Sequence, residues 1–196
     1  MSRRGVLPVD RLTLGFIVVF AAILLAQARQ VESWPWLLLG DLLVVLLVFL
    51  VPRLPAEGTF ATLVGGAYPL ILATAFYWQL GDIQLDVGRL HDAAVQRWEM
   101  AVFGFQASVE WHRRVPSPAL STVMHLCYGA YYWILAIVPL WLLFRGKVEA
   151  FRRAIFIIAA ALFVSYLVFG VFPVAGPYFL FPPVPEPLVS NWPARY

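Results

Sequence analysis

Four polar side chains, Ser121, His125, Tyr128 and Tyr132, interrupt an otherwise apolar stretch of the chain. Their spacing is i, i+4, i+7, i+11, which at about 100° per residue confines them to one narrow stripe of a helix. Leu126, Trp133 and Ile137 fall on other faces. Polar groups are costly inside a bilayer, so such a stripe should face a bundle interior or a water-filled cavity. Two chemistries fit it. One is the wall of a substrate cavity, with His125 able to bind phosphate or move a proton. The other is hydrogen bonding between helices. Spacing does not separate the two, and for His125 itself plain hydrogen bonding outweighs catalysis.

Other chemically capable residues are scattered. Asp41 is the only acid inside an expected membrane span. It could orient a basic partner, but a carboxylate bonded to a neighbouring helix or reaching toward water is the simpler reading. His112, Arg113 and Arg114 form a basic cluster before Pro116. It reads as an interfacial anchor for anionic headgroups rather than a specific phosphate clamp. His91 beside Asp92 reads as an exposed surface pair. No nucleotide-type phosphate loop, His-Glu-x-x-His zinc site or Gly-x-Ser-x-Gly elbow occurs in the sequence. Three scattered histidines make a metal centre improbable. The single cysteine, Cys127, excludes an internal disulfide and a cysteine-based cluster. No metal and no cofactor are expected.

The elements that must hold these residues are membrane helices. Of the 196 residues, 62% are hydrophobic and 13% charged, and the mean hydropathy is +0.80. A soluble domain of this size needs far more polar surface. The net charge of +3 is small and spread over loops, which argues against a nucleic-acid partner. A crossing helix needs about 20 apolar residues, and residues 12–28, 34–51, 60–80, 120–144 and 154–172 approach that. In lipid each must be helical, because no water is present to satisfy the backbone. The expected fold is therefore all-α: one membrane domain over residues 1–196, a polytopic bundle of about five spans. The basic lead of the first span resembles a signal peptide, but no clear cleavage site precedes a soluble domain, so it is read as a retained helix. Alanine, glycine and proline at 61, 65, 69 and 73 make a small-residue face on the third span, suited to close helix packing.

Lysines and arginines set the orientation. Arg3, Arg4 and Arg11 precede the first span, and Arg145, Lys147, Arg152 and Arg153 lie around the last connection. Set against only Arg29 in the first loop and only Arg195 in the tail, these counts place both regions in the cytoplasm and the 173–196 tail outside, in a bacterial-type plasma membrane. Arg89, Arg97, Arg113 and Arg114 on the outer side weaken the bias. Within the 81–119 segment, Leu90, Ala94, Trp98, Ala101, Phe105 and Val109 recur at helical spacing. They predict an amphipathic helix over about 86–111, broken near Gly104, lying in the membrane interface or packed on the spans.

After the last span comes a proline-rich tail, PVAGPYFLFPPVPEP, expected to be irregular. Residues 98–178 carry the landmarks RWEMAVFGFQASVEWHRRVPSPAL, HLCYGAYYWILAIVPLWLLFRGK, FRRA and SYLVFGVFPVAGPYF. Together they resemble the inositolphosphotransferase-like branch of the type 2 phosphatidic acid phosphatase superfamily. Its members share an interfacial Phe-Gly segment, a Tyr-rich span and a Pro-x-x-Gly-Pro turn at a membrane exit.

The resemblance implies a lipid-phosphate phosphatase or phosphotransferase with membrane lipids as partners. In that family one histidine attacks phosphorus, forming a P–N bond as the P–O bond to the leaving group breaks. A second histidine protonates the departing alkoxide. Water or an alcohol such as inositol then accepts the phosphoryl group. Pro173, Gly176, Pro177 and Tyr178 carry over as site-entrance residues. Tyr178 stands where relatives often have a basic residue. The family's Pro-Ser-x-His and later Arg, His and Asp segments have no counterpart here, so no catalytic residue is assigned. The resemblance thus implies the N-terminal part of such an enzyme, inactive alone. The alternative is a non-catalytic membrane subunit or lipid-binding module on the same scaffold. Oligomeric state is left open.

Overall fold

The computed structural model describes residues 6–51, 58–87 and 90–176. Pro177, Tyr178 and the rest of the tail lie outside the described residues. All regular structure among the described residues is helical: α1 (Pro8–Ala26), α2 (Trp34–Leu50), α3 (Gly58–Val87), α4 (Asp92–Phe103), α5 (Ala107–Arg114), α6 (Pro118–Phe144) and α7 (Val148–Val171). The helices α1, α6 and α7, and α3 as far as Ile83, are long and apolar enough to cross a membrane. α2 is apolar but has 17 residues, a length of about 25 Å, slightly short of a typical hydrocarbon core. α3 runs beyond the apolar stretch to Val87. The polar sequence there contains no proline, and a helix does not have to stop where its hydrophobicity does.

The chain divides into two compact units. The first holds α1, α2, α3, α7 and the end of α6. Its centre is a set of phenylalanines from three helices. Phe16 stacks on Phe163 at 4.3 Å with the planes 14° apart, and Phe76 meets Phe16 edge-on at 4.8 Å. Such ring pairs give directional packing, which matters in lipid because apolar faces exposed to lipid tails are no worse off than buried ones. Gly66 of α3 lies against the fully buried Phe151 of α7, so close that a Cβ there would sit 2.5 Å from the ring. The small-residue face of α3 is buried at Gly65, Pro69 and Ala73.

The start of α1 is pinned by one carboxylate. Pro8 opens the helix, where its missing N–H costs nothing. Asp10 accepts the Leu7 N–H on Oδ2 at 2.7 Å and the Tyr68 hydroxyl on Oδ1 at 2.7 Å. The first bond caps α1 and the second ties it to α3. At the opposite end of these helices, the Gln27 amide donates to the Gly170 carbonyl of α7 at 3.3 Å.

The second unit holds α4, α5, the first part of α6 and the chain from Val174. The amphipathic segment expected over about 86–111 with a break near Gly104 contains α4 and most of α5. α4 ends where Gly104 takes a left-handed backbone (φ 72°) and returns its N–H to Met100, the usual use of glycine at a helix end. The Gln106 amide then donates to the Gln96 carbonyl at 3.1 Å and sets the bend into α5. Ser117 accepts the Leu120 N–H at 3.2 Å and so caps α6, which opens on Pro118.

Candidate functional site

One polar contact in the second unit joins the start of α4 to the segment that follows α7. Asp92 is the first residue of α4 and is 5% exposed. Its Oδ2 accepts the Ala175 N–H at 3.0 Å and its Oδ1 accepts the Gly176 N–H at 2.9 Å. A carboxylate has two oxygens in one plane and can take two successive amides at once, each bond strengthened by the charge. The first turn of α4 favours that charge, because its unpaired N–H groups carry partial positive charge. Gly176 holds φ at 88°, a left-handed conformation that suits glycine. Of the four residues expected at the site entrance, Pro173 is buried and Gly176 is clamped by Asp92. Pro177 and Tyr178 lie outside the described residues.

Asp92 was not expected in this role. With His91 beside it, the pair reads from sequence as exposed. Only His91 is exposed, and the Asp92 side chain is buried against a segment 83 and 84 residues away.

The polar stripe on α6 is present as a helical face. Ser121 is half-buried and His125, Tyr128 and Tyr132 are exposed, the two tyrosines at 68% and 56%. Their hydroxyls meet at 2.9 Å and their rings pack edge-to-face at 5.6 Å. His125 Nδ1 lies 2.7 Å from the Ser121 carbonyl. A carbonyl can only accept, so Nδ1 is the donor of this contact and Nε2 is left for another partner. The stripe therefore offers an imidazole nitrogen and two hydroxyls. These can orient a phosphate or headgroup, and nothing in their geometry makes His125 a nucleophile.

Two further candidates are placed as follows. Arg114 is held by Glu110, with Nη2 and Nε donating to Oε2 at 2.9 and 3.1 Å, while its guanidinium lies 3.8 Å over the Phe105 ring. An arginine engaged on both faces fits an anchor better than a free phosphate clamp. The His112 side chain lies outside the described residues. Asp41 is buried in α2, and neither carboxylate oxygen has a hydrogen-bond partner among the described residues. The nearby Gln79 gives its amide N–H to the Leu37 carbonyl instead. No group of three or more His, Cys, Asp or Glu able to hold a metal occurs among the described residues.

Helices of spanning length and a glycine-proline segment leaving the last of them define a helical integral membrane protein. The sequence model of the PAP2 superfamily matches residues 93–191, half of the chain, and the protein belongs to that superfamily. No curated protein and no solved structure matches the chain. The matched region begins one residue after Asp92 and includes Ala175 and Gly176.

Proposed function

We propose that these 196 residues form the membrane scaffold and substrate entrance of a lipid-phosphate phosphatase or phosphotransferase, of the inositolphosphotransferase-like kind. The observation that carries this reading is the superfamily match across α4 to α7 and through the 173–176 segment. It is supported by the clamp that fixes this segment and by an α6 face bearing hydroxyls and an imidazole. The phosphate would enter near Gly176, with the α6 stripe as a polar wall for the headgroup. The N-terminus and the 145–153 connection lie in the cytoplasm, and the chain after α7 lies outside.

The sequence has three histidines, His91, His112 and His125, and none stands in a Pro-Ser-x-His setting. In this reading the phospho-histidine chemistry of the family is assigned to none of the three. That observation also favours a second reading, a lipid-binding module without turnover of its own. Reconstitution into vesicles with phosphatidic acid, with and without inositol, separates the readings. The expected result is phosphatidic acid binding with neither phosphate release nor transfer by these residues. Turnover by the 196-residue chain would show that the histidine assignment is wrong, and failure to bind would remove the lipid-phosphate reading.

A further inference from the structure

We propose that Asp92 is a positioning residue for the lipid-phosphate entrance, fixing the backbone at Ala175 and Gly176 against the start of α4. The proposal rests on the lipid-phosphate reading above.

Three features of the contact carry it. First, both carboxylate oxygens are used on two consecutive amides, at 3.0 and 2.9 Å. A single bond leaves a segment free to pivot about it, and two bonds from one rigid planar group do not. Second, the clamp acts where the backbone is otherwise permissive. Gly176 sits at φ 88°, and glycine alone would sample both signs of φ nearly equally. Third, Pro173 has no N–H and Pro177 follows Gly176 directly. Prolines limit their own φ and the residue before them, so the clamp sets the main remaining freedom between the two rings. Asp92 is itself anchored as the first residue of α4, so it ties the segment to a helix rather than to another loop.

The chemistry distinguishes a carboxylate from its isosteres. Asp92→Asn keeps one acceptor but turns an NH2 toward the second amide, donor against donor. Asp92→Ala leaves two part-buried amides without their partner. Both changes loosen the segment without altering the helices.

The test uses the full chain in detergent micelles. Ala175-Gly176 is the single Ala-Gly dipeptide in the sequence. Carbonyl-13C alanine combined with 15N glycine therefore reports one amide, that of Gly176. In the wild type this amide proton should resonate downfield and exchange slowly, and in D92N and D92A it should move upfield and exchange faster. Dihexanoyl phosphatidic acid is then titrated while the same signal is followed. Loss of a charge-assisted bond should weaken binding by about ten-fold or more, with helical content by circular dichroism unchanged. Should D92A fail to fold, the near-isosteric D92N gives the same readings.

An unmoved Gly176 signal in both variants overturns the clamp. A moved signal with unchanged phosphatidic acid affinity overturns the positioning role. If the wild type itself does not bind phosphatidic acid while the signal still moves, the functional reading falls and the positioning role with it, leaving a structural contact.

Discussion

At the scale of single residues, two buried aspartates work by accepting from groups far away in sequence. Asp10 takes the Tyr68 hydroxyl across 58 residues, and Asp92 takes two amides across more than 80. A buried carboxylate that loses a donor retains its desolvation cost, so the consequence of removing one partner is larger than an ordinary hydrogen bond's net worth. Tyr68→Phe should therefore destabilise the first unit by about 1–3 kcal/mol, read as a lowered midpoint in denaturant unfolding from micelles. The α6 stripe gives a second expectation. Replacing Tyr128 and Tyr132 together by Phe keeps the rings and removes the paired hydroxyls. Phosphatidic acid binding should weaken by about three- to ten-fold if these hydroxyls face the headgroup, whereas unchanged affinity with reduced stability would mark them as packing groups. The stripe was legible because helical period is written in the sequence. The role of Asp92 was not, since period says nothing about which distant backbone amides come to meet a carboxylate.

At the scale of elements, glycine and proline explain most of what could be read in advance. Gly104 breaks the amphipathic segment because its left-handed backbone ends α4 there. Hydrophobic spacing continues through both halves, as α4 and α5 keep nearly the same apolar period, and it is the glycine that marks the break. The small-residue face of α3 is buried as close packing requires, but the tightest approach falls at Gly66, one position beside the face marked by Gly65, Pro69 and Ala73. A sequence names a small surface without naming the ring that fills it, here Phe151 of α7. Gly66→Ala would place a methyl 2.5 Å from Phe151 Cε1, and with that ring fully buried the strain should cost about 1–3 kcal/mol. The double variant Gly66→Ala with Phe151→Leu should recover part of this loss. Additive losses in an unfolding cycle would show that the two positions do not press on each other.

At the scale of the whole molecule, the all-helical membrane fold was legible from composition and run length, because a bilayer permits few alternatives to helices. Family membership was legible from short motifs in order, and the superfamily match over residues 93–191 bears out that coarser level. The proposed orientation rests on charge. The connection between α6 and α7 carries Arg145 and Lys147, both near the Trp141 ring at 5.5 and 5.9 Å, an aromatic and basic arrangement suited to an interface. In a Cys127→Ser background, a cysteine at Lys147 should react with a membrane-impermeant maleimide only after the cells are opened. Labelling of intact cells would invert the orientation.

The lipid-phosphate reading proposed above, in its phosphatase form, predicts that this scaffold holds a phosphate monoester lipid. Native mass spectrometry of the protein released from nanodiscs with equal phosphatidic acid and phosphatidylglycerol tests it most directly. Both lipids are anionic, so a basic interface alone would not prefer one strongly, and only the monoester has a terminal phosphate. The expected result is retention of phosphatidic acid in clear excess, by about ten-fold. Equal retention of the two lipids would contradict the claim and leave a charged membrane anchor without a phosphate site.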